Sequence, residues 1–134
     1  MLLSAILYSV INPGSELAME QQESTAIAGN MAVYRNAVTQ FSRSTPGYSG
    51  VVPDASLNLP TWFRKIGGVS NYVTGGKGYV YVTGQPGVAF ALYRRTESLL
   101  VGTKTGGFLV HPTQGTTAIA IPSAIPELAT VYAE

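Results

Sequence analysis

The chain has no cysteine. This excludes a disulfide framework, a Cys-ligated zinc site and a thiol nucleophile. It leaves the redox compartment open, since such a chain tolerates oxidising and reducing surroundings alike. Charge is also scarce: charged residues make up 11% of the 134 positions, well below the ~25% of an average soluble protein. Polarity comes instead from Ser, Thr, Asn, Gln and 15 glycines, the balance of a secreted, periplasmic or pilus-type protein rather than a cytosolic enzyme. The net charge is +1, and the only adjacent basic pairs are Arg64-Lys65 and Arg94-Arg95. Nucleic-acid binders carry a basic stripe that neutralises several phosphates. No such stripe exists here, so no nucleic-acid partner is expected, and the two pairs read as solvated ends of strands or helices.

Catalytic residue types are equally thin. His111 is the sole histidine and Asp54 the sole aspartate, so a Ser-His-Asp triad would have to use both. No Gly-x-Ser-x-Gly elbow accompanies them. One histidine cannot build a His-rich metal site. Of the glutamates, Glu16, Glu20 and Glu23 lie early and Glu127 and Glu134 late. Asp54 and Glu97 are left as the acid/base candidates, and nothing in the sequence brings them together. The glycine turns Thr74-Gly-Gly-Lys-Gly-Tyr79 and Val101-Gly-Thr-Lys-Thr-Gly-Gly107 fail the phosphate-loop spacing, which requires Gly-x-x-x-x-Gly-Lys-Ser/Thr opening a helix. They read as hairpin turns. The chain is expected to be no enzyme and to take no cofactor or metal.

What is present has a clear order. Residues 1–11 carry no charged side chain; as a helix they would rise about 16 Å, half of a ~30 Å hydrocarbon core. A secretory h-region lacks its basic flank and Ala-x-Ala site here, and a buried core segment is the plain alternative. The favoured reading is a partial or short membrane anchor. Residues 12–134 then form one helix plus a β-rich domain. Asn12-Pro13-Gly14 reads as a break, after which Ser15 caps a helix from Glu16 to about Ser44. Acidic residues start it and Arg35 and Arg43 end it, matching the helix dipole. Ile27, Met31, Tyr34, Ala37, Val38 and Phe41 form an apolar stripe at helical spacing. The polar first half reads as a stalk clear of the core, with a bend allowed at Gly29.

Beyond Pro46-Gly47 the pattern predicts a short helix at Thr61–Lys65 and then strands at Val69–Thr74 and Tyr79–Thr83. Val88–Arg94 reads as a further strand, followed by weaker ones at Leu99–Val101, Phe108–Val110 and Thr117–Ile121. Residues 122–134 read as an extended tail. Strands joined without intervening helices argue for an α+β fold: a long N-terminal helix packed on a small antiparallel sheet, pilin-like in outline. Tyr79 and Tyr81 share a strand face and are expected to meet Tyr93 across a hairpin, as routine cross-strand aromatic pairs. Tyr48, Trp62, Phe63, Tyr79, Tyr81 and Tyr93 are the candidate interaction residues, and an exposed sheet edge is a further place for a partner strand.

The succession Ala32-Val-Tyr-Arg-Asn-Ala-Val38, Pro46-Gly-Tyr-Ser-Gly50, Leu59-Pro-Thr-Trp-Phe63, Gly78-Tyr-Val-Tyr-Val82 and Ile121-Pro-Ser-Ala-Ile-Pro126, behind an apolar N-terminal segment, resembles the PilM family. This is the family of thin (type IVb) pilus systems on conjugative plasmids, distinct from the actin-like cytoplasmic protein sharing the name. The resemblance implies a bacterial inner-membrane protein with its domain in the periplasm. It implies partners among pilin or other pilus assembly proteins, and no catalytic residues. The alternatives are a minor pilin-like subunit of the filament and a small cell-wall hydrolase. Against the pilin, position 5 is Ala5 and the first glutamate is Glu16. Against the hydrolase, no nucleophile–base pair is found.

Overall fold

A computed structural model describes residues 13–134. The N-terminal apolar segment, and with it the reading as an anchor, lies outside the described residues. Helix α1 (Pro13–Ser44) comes first; its 32 residues correspond to about 48 Å of rise. Pro13 and Gly14, where a break was expected, lie within this helix. The apolar stripe is realised: Ile27, Ala28, Met31, Tyr34, Ala37 and Val38 are buried. Phe41 is half-buried against Tyr48, edge to face at 5.0 Å. No described helix is long and apolar enough to cross a membrane.

A six-stranded sheet packs against this stripe: β1 (Ser70–Thr74), β2 (Lys77–Val82), β3 (Val101–Thr105), β4 (Phe108–His111), β5 (Gly115–Ala120) and β6 (Thr130–Tyr132). Its spatial order is β1-β2-β6-β3-β4-β5, and every neighbouring pair is antiparallel. The α+β reading therefore stands, with three corrections inside it. The expected tail at 122–134 contains β6, which lies between β2 and β3 and pairs with both through Tyr132, opposite Val80 on one side and Val101 on the other. Its three residues are all buried. A strand so short gives no alternation to read, and its environment is made by hairpins distant in sequence.

The second correction is helix α2 (Val88–Thr96), which replaces the strand expected at Val88–Arg94. A strand would put Val88, Phe90 and Leu92 on one face. Instead Val88 and Leu92 are buried while Phe90 is 49% exposed, the separation a 3.6-residue period requires. Gly87 (φ 89°) turns into the helix and Glu97 (φ 53°) ends it, donating its N–H to Tyr93 O at 2.7 Å. Glu97 is thus a helix C-cap. The helix expected at Thr61–Lys65 is a turn instead, pinned from α1 by Asn30: its Nδ2 donates to Arg64 O at 2.8 Å and its Oδ1 accepts from Ile66 N at 3.0 Å.

Helix and sheet approach closely at Gly78, where a Cβ would sit 2.8 Å from Val38 Cγ1 and 3.2 Å from Val38 O. The same spot is tied down by Glu134, whose Oε1 accepts from Gly78 N at 2.7 Å and from the buried Ser42 hydroxyl at 2.6 Å. Forcing extra volume into a packed interface costs about 1–3 kcal/mol. We expect Gly78→Ala to lower stability by that amount in chemical denaturation. Val38→Ala in the Gly78→Ala background should recover part of it, and additive losses would contradict the contact.

Candidate functional site

A groove of about 610 Å³ lies between the early part of α1 and α2. Gln21, Ser24 and Thr25 form one wall, and Phe90, Arg94 and Arg95 the other. Gly87 brings the start of α2 close to α1: a Cβ there would stand 3.3 Å from Ser24 Oγ. The Arg95 guanidinium lies against α1 at Gly29, and the helix runs through that position without interruption. From Ser24 onward α1 is not clear of the domain, since α2 meets it there at Gly87, and Ile27 and Ala28 are buried, while Gln21 to Glu23 are exposed as the stalk reading expects. Arg94 Cζ sits 5.9 Å from the Phe90 ring centre, within cation–π range. Among the described lining residues there is no carboxylate, and they combine an exposed aromatic ring with two positive charges. Positions 87, 90, 91 and 94 recur at helical spacing; this signal was present in the sequence but hidden by the strand reading.

The six aromatic candidates do not converge. Tyr48 packs on Phe41, and its hydroxyl donates to Val51 O at 2.6 Å. Phe63 is buried and stacks parallel on Tyr34 at 6.1 Å, with the 69% exposed Trp62 edge-on beside it. Tyr79 is buried and Tyr81 half-buried, packed with Tyr72 and around Leu109, Ile121, Ile125 and Val131 in a second apolar cluster. Burial, and secondarily the Glu134 carboxylate, push the Tyr79 hydroxyl above the usual tyrosine range. Tyr93, on α2, meets no strand tyrosine; its ring stands edge-on to His111 at 4.5 Å.

The acid/base candidates are held in structural roles. His111 is buried; its Nδ1 accepts from the backbone N–H groups of Thr113 and Gln114, and its Nε2 lies 3.3 Å from Ser98 O. Asp54 Oδ1 accepts from the Tyr34 hydroxyl at 2.5 Å, and Oδ2 pairs with Lys65 Nζ at 2.9 Å. Asn71 Nδ2 donates to the same tyrosine oxygen at 2.6 Å and to Val52 O at 2.9 Å, while its Oδ1 accepts from Val52 N at 2.8 Å. Helix α1, the segment after it and β1 are thereby bound into one network. Burial pushes Asp54 up, but the hydrogen bonds from Tyr34 and Lys65 outweigh it and hold the carboxyl below its ordinary range. For Tyr34, burial first and the Asp54 carboxylate second push the hydroxyl well above its ordinary range. The basic pairs separate: Lys65 joins this network, Arg64 Nη1 donates to Thr61 O and Phe63 O, and Arg94 and Arg95 close α2 beside the groove. No group of three or more His, Cys, Asp or Glu is placed to hold a metal among the described residues.

The sequence model of the PilM family matches residues 1–133 of this chain. Among solved structures, the chain is similar to a provisionally assigned PilM protein from Pseudomonas aeruginosa 2192. The two share 39% identity over 84% of this chain and 93% of that one, with a TM-score of 0.54. It is also similar to a provisionally assigned PilM protein from Escherichia coli B7A, at 23% identity over 84% and 92% of the two chains and a TM-score of 0.63. That second likeness speaks to the fold alone. No curated protein matches the chain.

The Tyr34–Asp54 pair makes stability depend on pH at both extremes. A carboxyl lowered in the folded state contributes stability that is complete above the ordinary value of 3.8 and lost as pH falls below it. A raised tyrosine hydroxyl contributes stability that is complete below 10.0 and lost as pH climbs past it. In denaturant titrations across pH we expect Tyr34→Phe to cost about 1–3 kcal/mol near neutrality, from the partners left unpaired. The acid and alkaline flanks of the variant should also be shallower than those of the wild type; parallel curves would refute the coupling.

Proposed function

The chain belongs to the pilus-related PilM family, and from that premise we propose that it is a non-enzymatic accessory protein of type IV pilus biogenesis. It acts by protein–protein contacts at the bacterial inner membrane or basal body, with residues 1–11 as the tether and the described domain facing the periplasm. The thin pilus of a conjugative plasmid is the proposed setting.

The observation that carries this reading is the groove between α1 and α2. Its half-exposed Phe90 and its arginines Arg94 and Arg95 are of the residue types that dominate protein interfaces, where aromatic and arginine side chains supply most hot spots. The proposed occupant is a segment of pilin or an assembly protein that offers an apolar side chain beside a carboxylate. The non-enzymatic part of the proposal draws on the engagement of Asp54 and His111. Each uses its polar atoms to hold neighbouring chain segments, which leaves neither poised as a base. The second reading, a minor pilin-like subunit, draws on the long helix laid against an antiparallel sheet, an outline that also suits a filament subunit.

Complementation of a piliated host lacking this protein tests the groove. Losing a hot spot of about 2 kcal/mol or more weakens a contact about 30-fold. Phe90→Ala and Arg94→Glu with Arg95→Glu should therefore abolish or sharply reduce pilus number while the protein level and melting temperature stay near wild type. Normal piliation by both would sink the groove as the contact. Shearing the pili separates the two readings: an assembly protein remains with the cells, whereas a filament subunit co-purifies with the sheared fibres.

A further inference from the structure

Leu128 is both exposed and strained. Its side chain is 71% exposed, more than any other large apolar side chain among the described residues. Its backbone sits at φ 66°, in the left-handed region. It is the third residue of the turn that Ala129 N closes on Pro126 O at 3.3 Å, a place where positive φ selects glycine or asparagine. A bulky side chain there strains the backbone, and an exposed leucine returns nothing to the core for it. Glu97, the other described residue with a side chain at positive φ, has a structural use at the end of α2.

The turn is held from the sheet. Leu128 N donates to Lys104 O at 2.7 Å. Both oxygens of Glu127 accept from the β3–β4 turn, Oε2 from Gly106 N at 2.8 Å and Oε1 from Gly107 N at 3.0 Å. The Glu127 side chain is still 52% exposed, and a carboxylate with two bonds made has lone pairs left for a guanidinium. Lys104 Nζ stands 3.9 Å away and is bonded to the carbonyls of Pro122 and Ile125. An apolar knob and a carboxylate are thus presented side by side, on residues that take no part in the groove between α1 and α2.

We infer that the Glu127-Leu128 turn of one copy of this chain docks into the α1–α2 groove of a second copy, Leu128 against Phe90 and Glu127 toward Arg94 and Arg95. The inference rests on the reading of that groove as the contact surface, and it names this chain itself as an assembly protein that fills it. Complementarity selects the occupant. Two arginines, with no carboxylate among the described groove residues, meet a carboxylate followed by an apolar side chain. A net charge of +1 sets little repulsion between copies. The hydrogen bonds fix the knob's backbone before binding, which lowers the ordering cost of association. Knob and groove are different surfaces, so each copy gives one and receives the other. Such a head-to-tail contact closes into a ring or extends into a filament.

The test is sedimentation velocity on the full 134-residue chain across the micromolar range. The wild type should show species that grow with concentration beyond the 14.1 kDa of one chain. Leu128→Gly removes the knob, and Arg94→Glu with Arg95→Glu reverses the groove's charge. Each should weaken association at least about 30-fold, the loss of one hot spot. Leu128→Gly should melt no lower than the wild type, because glycine suits that φ, which separates lost docking from lost folding. An equimolar mixture of the two variants should recover association and stop at twice 14.1 kDa, since one intact knob then meets one intact groove. A wild type that stays monomeric overturns the proposal; loss of pili in Phe90→Ala would then keep the groove as a contact for another protein. A mixture that stays monomeric overturns it too. Association through residues 1–11 would survive Leu128→Gly, so oligomers untouched by that variant overturn it as well.

Discussion

Three residues hold the two halves of the sheet together. Thr130, Val131 and Tyr132 form the sole strand hydrogen-bonded to both β2 and β3; without them the β1–β2 hairpin and the β3–β4–β5 meander would share no backbone hydrogen bond in the sheet. The last stretch of chain must therefore enter between two elements already separated by α2. Closing so distant a loop costs entropy before any contact repays it, and both flanks of β6 show what holds it in place. Before it, the buried Lys104 ammonium donates to Pro122 O at 3.0 Å and Ile125 O at 2.6 Å, while Glu127 accepts from Gly106 N and Gly107 N. After it, Arg35 donates to Ala133 O and lies over the Tyr132 ring, and Glu134 binds Ser42 and Gly78. A buried ammonium is costly unless its protons find acceptors. Here the carbonyls of the incoming loop supply them, so Lys104 settles into the core as that loop arrives.

This dependence also explains what was and was not legible in the sequence. Local patterns were read correctly where each residue's environment is set by near neighbours. The α1 stripe from Ile27 to Val38 has a helical period, and the glycine-linked pair β1–β2 is a hairpin as expected. The pair β3–β4 is a hairpin too, but β3 occupies Val101–Thr105, most of the segment read as its turn, and only Gly106-Gly107 are left to reverse the chain. The readings failed where distant segments decide. In β6, Thr130 to Tyr132 is too short to show alternation and gains its burial from both hairpins. In α2, Val88-Ala-Phe-Ala-Leu satisfies a strand rule and a helix rule equally well. The choice is made by packing against α1, which buries Val88 and Leu92 and leaves Phe90 out. The groove was missed with it, since Phe90, Ala91 and Arg94 line up only once the segment is helical. Asp54 was noticed for the wrong reason, because no spacing rule predicts that a tyrosine on α1 and an asparagine on β1 converge on it.

The tyrosines illustrate how residue type alone can mislead about surfaces. Eight tyrosines in a chain with few charges look like material for recognition. Yet Tyr34, Tyr79 and Tyr132 are buried; the Tyr34 hydroxyl is held between Asp54 and Asn71, and the Tyr132 ring lies under the Arg35 guanidinium. Tyrosine suits these places because it combines a large apolar ring with one hydroxyl that must find a partner when buried. At Tyr34 the ring fills the layer and the hydroxyl fixes its orientation. A core with few ionic groups thus gains specificity from a handful of directional contacts. The exposed aromatics that remain, Trp62, Phe90 and Phe108, lie on a loop, a helix and a strand near an edge.

The polar network around Tyr34 reaches beyond its own hydrogen bonds. Asn71 stands on β1 and holds Val52, so the segment that joins α1 to the sheet is laid along the β1 edge and Gly50 completes the cover. Asp54, two residues further on, returns the segment to α1 through Tyr34 and reaches Lys65. Closure of the β1 edge is therefore a by-product of anchoring the long helix to the sheet. Among the described residues no comparable anchor holds β5, because the chain leaves that strand through Pro122 to bring β6 back to the centre, and the buried Lys104 and the Glu127 carboxylate draw the returning loop inward over the β3–β4 turn. A sheet whose last strand is its middle one must spend its final connection on reaching the interior. The outermost strand is then left uncovered by the same topology that completes the core.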